Sequence, residues 1–261
     1  MIMVAKNNTG KPAIAALCGK GGVGKTSISA LTVKILCEDP DARVLAIDAD
    51  PATGLATALG INVRKTVDDV RNLLIDEIEN RSAGDRSRVA ALIDYELLSA
   101  LEERDNLAFL AIGRPETDGC YCQVNDLLKD VIETLSENFD YVVIDGEAGI
   151  EQINRRVMES VTHLILVSDQ SKKGLNVVST LNEVASRAVN YDKTVCIINR
   201  VRPGGVSGEF QIPAGITLAG YIPEDDIIRE MDIAGASLAG ISESGALTAV
   251  RECLIKTGLT A

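Results

Sequence analysis

Residues Gly19-Lys20-Gly21-Gly22-Val23-Gly24-Lys25-Thr26 follow an apolar run at 12–18 and open a segment of helical period. This is the G-x-x-x-x-G-K-[ST] spacing in a strand–loop–helix setting. Glycines at these places let backbone N–H groups turn inward around an anion at a helix N-terminus. Lys25 is then placed to reach the outer phosphates of ATP, and the Thr26 hydroxyl to sit on Mg²⁺. Gly19, Gly21, Gly22, Val23, Gly24 and Ser27 complete the expected phosphate contacts. A loop of this kind needs a buried strand beneath it, and that strand needs parallel neighbours.

Those neighbours are legible. Strand-length apolar runs at 43–48, 106–112, 140–145, 161–168, 194–199 and 216–221 alternate with helical segments. Tyr141-Val142-Val143-Ile144 is apolar throughout, as a parallel strand buried on both faces requires. Ile28, Leu31, Thr32 and Ile35 line one helix face; Val124, Leu127, Leu128, Val131 and Leu135 line another; Leu175, Val178, Leu181 and Ala185 a third. The pattern predicts a single doubly wound, mostly parallel sheet with helices on both faces. Two successive helices, about 66–80 and 86–103, interrupt the alternation around Ser82-Ala83-Gly84-Asp85 and read as an insertion. No Pro-, Gly- or Ser-rich linker marks a boundary, so residues 1–261 are expected to form one domain, with 202–215 as a long surface loop.

Composition removes other classes. With 26 Lys+Arg against 38 Asp+Glu the formal charge is -12, and there is no Trp. That argues against nucleic acid as a partner, which needs a basic footprint and stacking platforms. No apolar run reaches the length of a membrane span, and Met1–Lys11 lacks a signal-peptide core. The expected compartment is the cytoplasm, where cysteines stay reduced.

Lys20 is a second lysine within the loop, too early to sit where Lys25 sits; a solvated charge would explain it. Lys-Gly-Gly-Val-Gly-Lys-Thr, however, resembles the deviant Walker A of the MinD, ParA and nitrogenase iron-protein superfamily. The resemblance implies that Lys20 crosses a dimer interface to the partner's nucleotide, so that ATP holds a homodimer together.

Asp48 and Asp50 end a buried strand in Asp48-Ala49-Asp50-Pro51 and point to the carboxyl edge, where ligands bind. Asp50 also reads as an N-cap, with Pro51 at the first helical position. The pattern resembles the family's switch I, which implies that Asp50 orients the attacking water; Asp48 is expected near Mg²⁺. Asp145 follows Ile144 and needs a partner at the end of so apolar a strand; an Mg²⁺-bound water supplies one. Gly146-Glu147-Ala148-Gly149-Ile150-Glu151 resembles switch II, with Gly149 as the residue whose backbone moves; Glu147 reads as a loop acid.

Asn199 ends the strand Val195-Cys196-Ile197-Ile198. An Asn amide can pair with adenine N6 and N7 or cap a turn; the family places an Asn at this strand end for adenine. Pro223 is assigned to the same nucleotide. His163 opens an apolar strand without a nearby acid and reads as structural.

Of six cysteines, Cys18, Cys37, Cys196 and Cys253 sit in apolar strands or helix faces and read as small core hydrophobes. Cys120 and Cys122 lie in a polar loop, 113–122, before a helix. They read as a metal site, a redox pair or inert thiols. Cys-x-Cys supplies two ligands where a closed tetrahedral site needs four, and a twofold axis through the metal would supply the rest. With the deviant loop and Asp-Gly-Glu-Ala-Gly-Ile-Glu, this Gly-Cys-Tyr-Cys loop is similar to that of the CooC-type ATPases. The resemblance implies a metallochaperone that binds nickel and helps insert it into carbon monoxide dehydrogenase or acetyl-CoA synthase. Thiolates alone do not distinguish Ni²⁺ from Zn²⁺. Two alternatives stand beside it: a MinD/ParA-like positioning switch, and an ATP-gated reductase with an Fe–S cluster between subunits. Against the first, the segment near 243–257 offers only Arg251 and Lys256 as basic residues for a membrane helix.

Overall fold

A computed structural model describes residues 11–80, 86–114, 122–146, 157–202, 204–205 and 212–260. Its centre is an eight-stranded sheet of order β3-β4-β2-β5-β1-β6-β7-β8. The strands are β1 (Ala13–Gly19), β2 (Val44–Asp48), β3 (Glu102–Arg104), β4 (Leu107–Ala111), β5 (Tyr141–Asp145), β6 (Ser160–Ser168), β7 (Asn190–Val201) and β8 (Thr217–Pro223). Every neighbouring pair is parallel except β3 with β4. The seven strands expected from apolar runs are all present, and the doubly wound architecture is as read.

The helices are α1 (Lys25–Leu36), α2 (Gly54–Leu59), α3 (Val67–Asn80), α4 (Arg86–Ser99), α5 (Cys122–Ser136), α6 (Lys172–Ala188), α7 (Asp226–Ala234) and α8 (Gly245–Thr257). Period-two alternation sorts each strand between two cores. Ala13, Ala15 and Leu17 face the layer of α1, α2 and α8, where Leu31, Leu55, Leu59, Val250 and Leu254 are buried. Ala16 and Cys18 face the opposite layer, built by Leu74 of α3, Leu97 of α4, Ile132 of α5 and Val178 of α6. Truncating Leu31 or Leu74, each 1 % exposed, to Ala would cost about 2–5 kcal/mol.

One expectation is corrected. The second insertion helix ends at Ser99 rather than 103, and the chain turns into edge strand β3. Asp105, at φ 54, permits a two-residue hairpin that pairs Arg104 with Leu107 antiparallel. The edge is charged, and Glu102 binds Arg64 through two 2.8 Å bonds, features that discourage edge-to-edge pairing. The short helix α7 was not anticipated, α2 starts at Gly54 rather than at Pro51, and β7 starts four residues early. The described residues of 202–215 carry neither helix nor strand. Among the described residues no helix is long and apolar enough to cross a membrane.

Candidate nucleotide site

The topology brings the carboxyl ends of β1, β2 and β5 side by side: Asp48 and Leu17 are both register partners of Asp145. Gly19 closes β1 against β6, and a side chain there would collide with the Val167 carbonyl. Gly22 and Gly24 have φ of 80 and 89°, the region glycine enters without steric cost. No side chain caps the N-terminus of α1, and no acid stands in its first turn. The N–H groups of that turn are therefore open to an anion, which the helix end also favours electrostatically. Lys25, 8 % exposed, folds back over the loop and donates to the Lys20 carbonyl at 3.4 Å.

The two buried acids differ. Asp145 Oδ1 accepts from Ser29 Oγ at 2.8 Å, while Oδ2 is buried without a hydrogen-bond partner. Burial pushes its carboxyl up, against the pull of the Thr26 and Ser29 hydroxyls and the Lys25 charge. An unsatisfied buried oxygen beside the Thr26 hydroxyl is the donor set a hydrated Mg²⁺ requires. Asp48, fully buried, uses both oxygens on backbone amides: Oδ1 on Asp50 N at 3.2 Å, Oδ2 on Leu55 N at 2.9 Å and Ala56 N at 3.3 Å. Burial first, then the Asp145 charge, pushes its carboxyl up to about 7.

Asp50 does not cap a helix opened by Pro51. Its Oδ1 accepts from Ala52 N at 2.9 Å and its carbonyl from Thr53 N at 3.0 Å, closing a turn. That turn delays α2 to Gly54, and Asp48 supplies the cap instead. Lys20 is partly buried. Nearby, burial raises the Asp169 carboxyl, but hydrogen bonds from Ser171 and the charges of Lys20 and Arg200 outweigh it, and the net shift is downward.

Asn199 is drawn onto the phosphate loop. Its Nδ2 donates to the Val23 carbonyl at 2.8 Å and occupies the place a side chain at Gly24 would need. The loop and the far strand ends meet in a cleft of about 270 Å³, lined by Gly24, Ser27, Asn199, Arg200, Pro223 and Asp225 among others. Arg200 (φ 56) and Asp225 were missed in the sequence. Nothing local marks Arg200. Asp225 could have been found, because it stands as an acidic N-cap after Pro223 and accepts from Ile227 and Ile228 N.

Cys18, Cys37 and Cys196 are pushed up to about 12 and Cys253 to about 11, each mainly by burial. They are inert packing thiols, as expected. His163 lies on β6, buried, with Nδ1 2.8 Å from Thr162 Oγ1, consistent with a structural role. Cys120, Glu147 and Gly149 lie outside the described residues, as does the Cys122 side chain at the head of α5. Among the described residues no group of three or more His, Cys, Asp or Glu is placed to hold a metal ion.

Comparison with known proteins agrees with this geometry. Residues 13–186 match the anion-transporting ATPase family. An uncharacterized ATP-binding protein of Methanocaldococcus jannaschii is 33% identical over 88% of this chain and 92% of its own. The carbon monoxide dehydrogenase accessory protein CooC of Rhodospirillum rubrum is 28% identical over 87% of this chain and 89% of its own. The septum site-determining protein MinD of Pyrococcus horikoshii, solved with Mg-ADP, superposes with TM-score 0.63 at 25% identity, covering 93% of this chain and 94% of that one. With an open helix N-terminus, a buried lysine over it and a family match across the first two-thirds of its length, the chain belongs to the anion-transporting ATPases, P-loop proteins of the ArsA/MinD/ParA superfamily.

Proposed function

We propose that the protein is an Mg²⁺-dependent ATPase that dimerises on ATP and delivers nickel, its cargo, to carbon monoxide dehydrogenase or acetyl-CoA synthase. The observation that carries the ATPase reading is the open Asp145 Oδ2 beside the uncapped N-terminus of α1. Thr26 and Asp145 would hold Mg²⁺, which when bound offsets phosphate charge. Lys25 and the loop amides hold the phosphates; Asp50 orients the attacking water; Lys20 of each protomer serves the partner's nucleotide. Asn199 and Pro223 flank the base, and Gly149 reports the γ-phosphate. The chain works as one cytoplasmic domain carrying α3 and α4 as an insertion, without nucleic acid or membrane.

The nickel reading rests on the Gly-Cys-Tyr-Cys loop and on similarity to a carbon monoxide dehydrogenase accessory protein over most of both chains. Cys120 and Cys122 of two protomers would supply four thiolates, a set Zn²⁺ also accepts. Anaerobic nickel titration with and without a non-hydrolysable ATP analogue tests it: one Ni²⁺ per dimer is expected. Unchanged binding in Cys120→Ser/Cys122→Ser would refute it. The second reading, a MinD-like positioning switch, is favoured by the fold match. Against it, α8 turns Val250, Cys253 and Leu254 into the core and leaves Ile255 as its exposed large apolar side chain, less than a bilayer-binding face needs. ATP-dependent pelleting with anionic vesicles would revive it.

A further inference from the structure

Asp48 and Asp145 end adjacent strands in register, yet only Asp145 keeps an open oxygen. The Asp48 carboxylate spans a loop, binding Asp50 N at its start and Leu55 and Ala56 N at its end. Both ends of 49–54 are thus tied to one buried side chain. The strand below is anchored as well: Ala49 N donates to Asp145 O at 3.0 Å and Ile112 N to Asp48 O at 2.9 Å.

Between those ties the turn is tightly determined. Asp50 closes it through Ala52 N and Thr53 N. Thr53 has φ 50, a left-handed conformation unfavourable for a β-branched residue and kept only where surroundings impose it. Gly54 is packed so that a Cβ there would stand 3.4 Å from the Thr26 methyl. Asp50 and the first turn of α2 are therefore linked through one carboxylate, and the turn between them lies beside the phosphate-loop threonine at Gly54.

We propose that Asp48 is a positioning residue: it acts through the Asp50 amide and the N-terminus of α2 to hold Asp50 in register with the phosphate loop, and is not on the metal's side. This rests on the reading of Asp50 as the residue that orients water. Among oxygens close to the metal's place, the open one belongs to Asp145; those of Asp48 are taken by three N–H donors. A carboxylate accepting several backbone N–H groups holds them more firmly than an amide can, since an amide offers one acceptor oxygen.

The test is Asp48→Asn, which keeps shape and removes one acceptor and the charge. Expected are a kcat 10- to 100-fold lower, KM for ATP and half-saturating Mg²⁺ within twofold of wild type, and amide exchange at Leu55 and Ala56 at least tenfold faster with β1 unchanged. A tenfold rise in half-saturating Mg²⁺, with kcat restored at saturation, would put Asp48 on the metal and overturn the proposal. So would faster exchange with kcat intact. Asp50→Ala run in parallel separates the two readings: wild-type kcat there refutes the role of Asp50 itself. If Asp48→Asn does not fold, exchange in the nucleotide-free wild type decides. The tether predicts Leu55 and Ala56 amides already as protected as those of Ala58 and Leu59; protection appearing only with Mg-ADP overturns it.

Discussion

The two halves of the nucleotide cleft are made of different material. The phosphate half stands on central strands: Lys25 is 8 %, Asp145 1 % and Asp48 0 % exposed, and each is held by backbone or by a buried partner. The other half, proposed above to hold the base, stands on β7, β8 and α7. That helix buries no residue completely and leaves Ile227 and Ile233 exposed. One carboxylate secures it: Asp225 Oδ1 takes Ile227 and Ile228 N at 3.0 and 3.3 Å, and Oδ2 takes Ala246 N of α8 at 2.9 Å. Charge has to be aimed at phosphate by groups that do not reorganise, whereas a base needs mainly a wall. The difference teaches that rigidity is concentrated where charge is handled.

Substitutions should therefore hurt binding most at the phosphate half. Lys25→Ala is expected to weaken ATP by roughly 100-fold or more, through loss of a pre-aimed cation in a partly dry site; calorimetric titration with ATP, triphosphate and adenosine would show the loss with the first two and not the third. Asp145→Asn should raise half-saturating Mg²⁺ roughly tenfold and also raise the melting temperature of the nucleotide-free protein, because burial and the nearby acid Asp50 disfavour its charge. A melting temperature that falls would contradict that account.

On the base side the effects shrink. Asn199→Ala removes the amide bond to Val23 and should cost about 1–2 kcal/mol of stability, with ATP and adenosine both weakened several-fold. Asp225→Ala should cost about 1–2 kcal/mol through lost caps, visible in urea unfolding, while triphosphate affinity is unchanged. An equal loss of triphosphate affinity would break the distinction between the halves.

The smallest effect lies away from the cleft. Burial first, then the Lys193 charge, holds the His163 imidazole below its ordinary value. The unfolded chain then binds the proton more readily, so the contribution of His163 to stability is full above about pH 6.5 and falls as pH drops toward the folded value. The Asp48 carboxyl, pushed up to about 7, gives the opposite slope over this range, so the His163 effect is read as a difference: between pH 7.5 and 5.5 the wild type should lose melting temperature relative to His163→Gln.

Legibility in the sequence follows the range of the interactions. Apolar runs such as Tyr141–Ile144 announce buried parallel strands, because burial on both faces leaves no polar position. The loop from Gly19 to Thr26 announces its own conformation, because it needs contiguous glycines. β3 was hidden: Glu102-Glu103-Arg104 has no apolar signature, and its strand exists only through pairing with β4. The start of helix α2 was misplaced at Pro51 because its cap is Asp48, six residues before Gly54, rather than the nearby Asp50. The attachment of Asn199 to Val23 joins positions 176 apart and has no local trace.

Taken alone, the sequence determined the layered sheet, the phosphate loop at its carboxyl edge and the packing of Cys18, Cys37, Cys196 and Cys253. These follow from short-range chemistry: side-chain period, glycine spacing and hydrophobicity. Only the tertiary structure decided which of two neighbouring acids keeps a free oxygen, and which residues line the cleft beside the phosphate loop. Those outcomes depend on strand order and register, which bring Asp145 beside Asp48 and Asn199 onto Val23. Hydrogen bonds are directional and local in space, not in sequence, so the fold has to exist before their partners are defined.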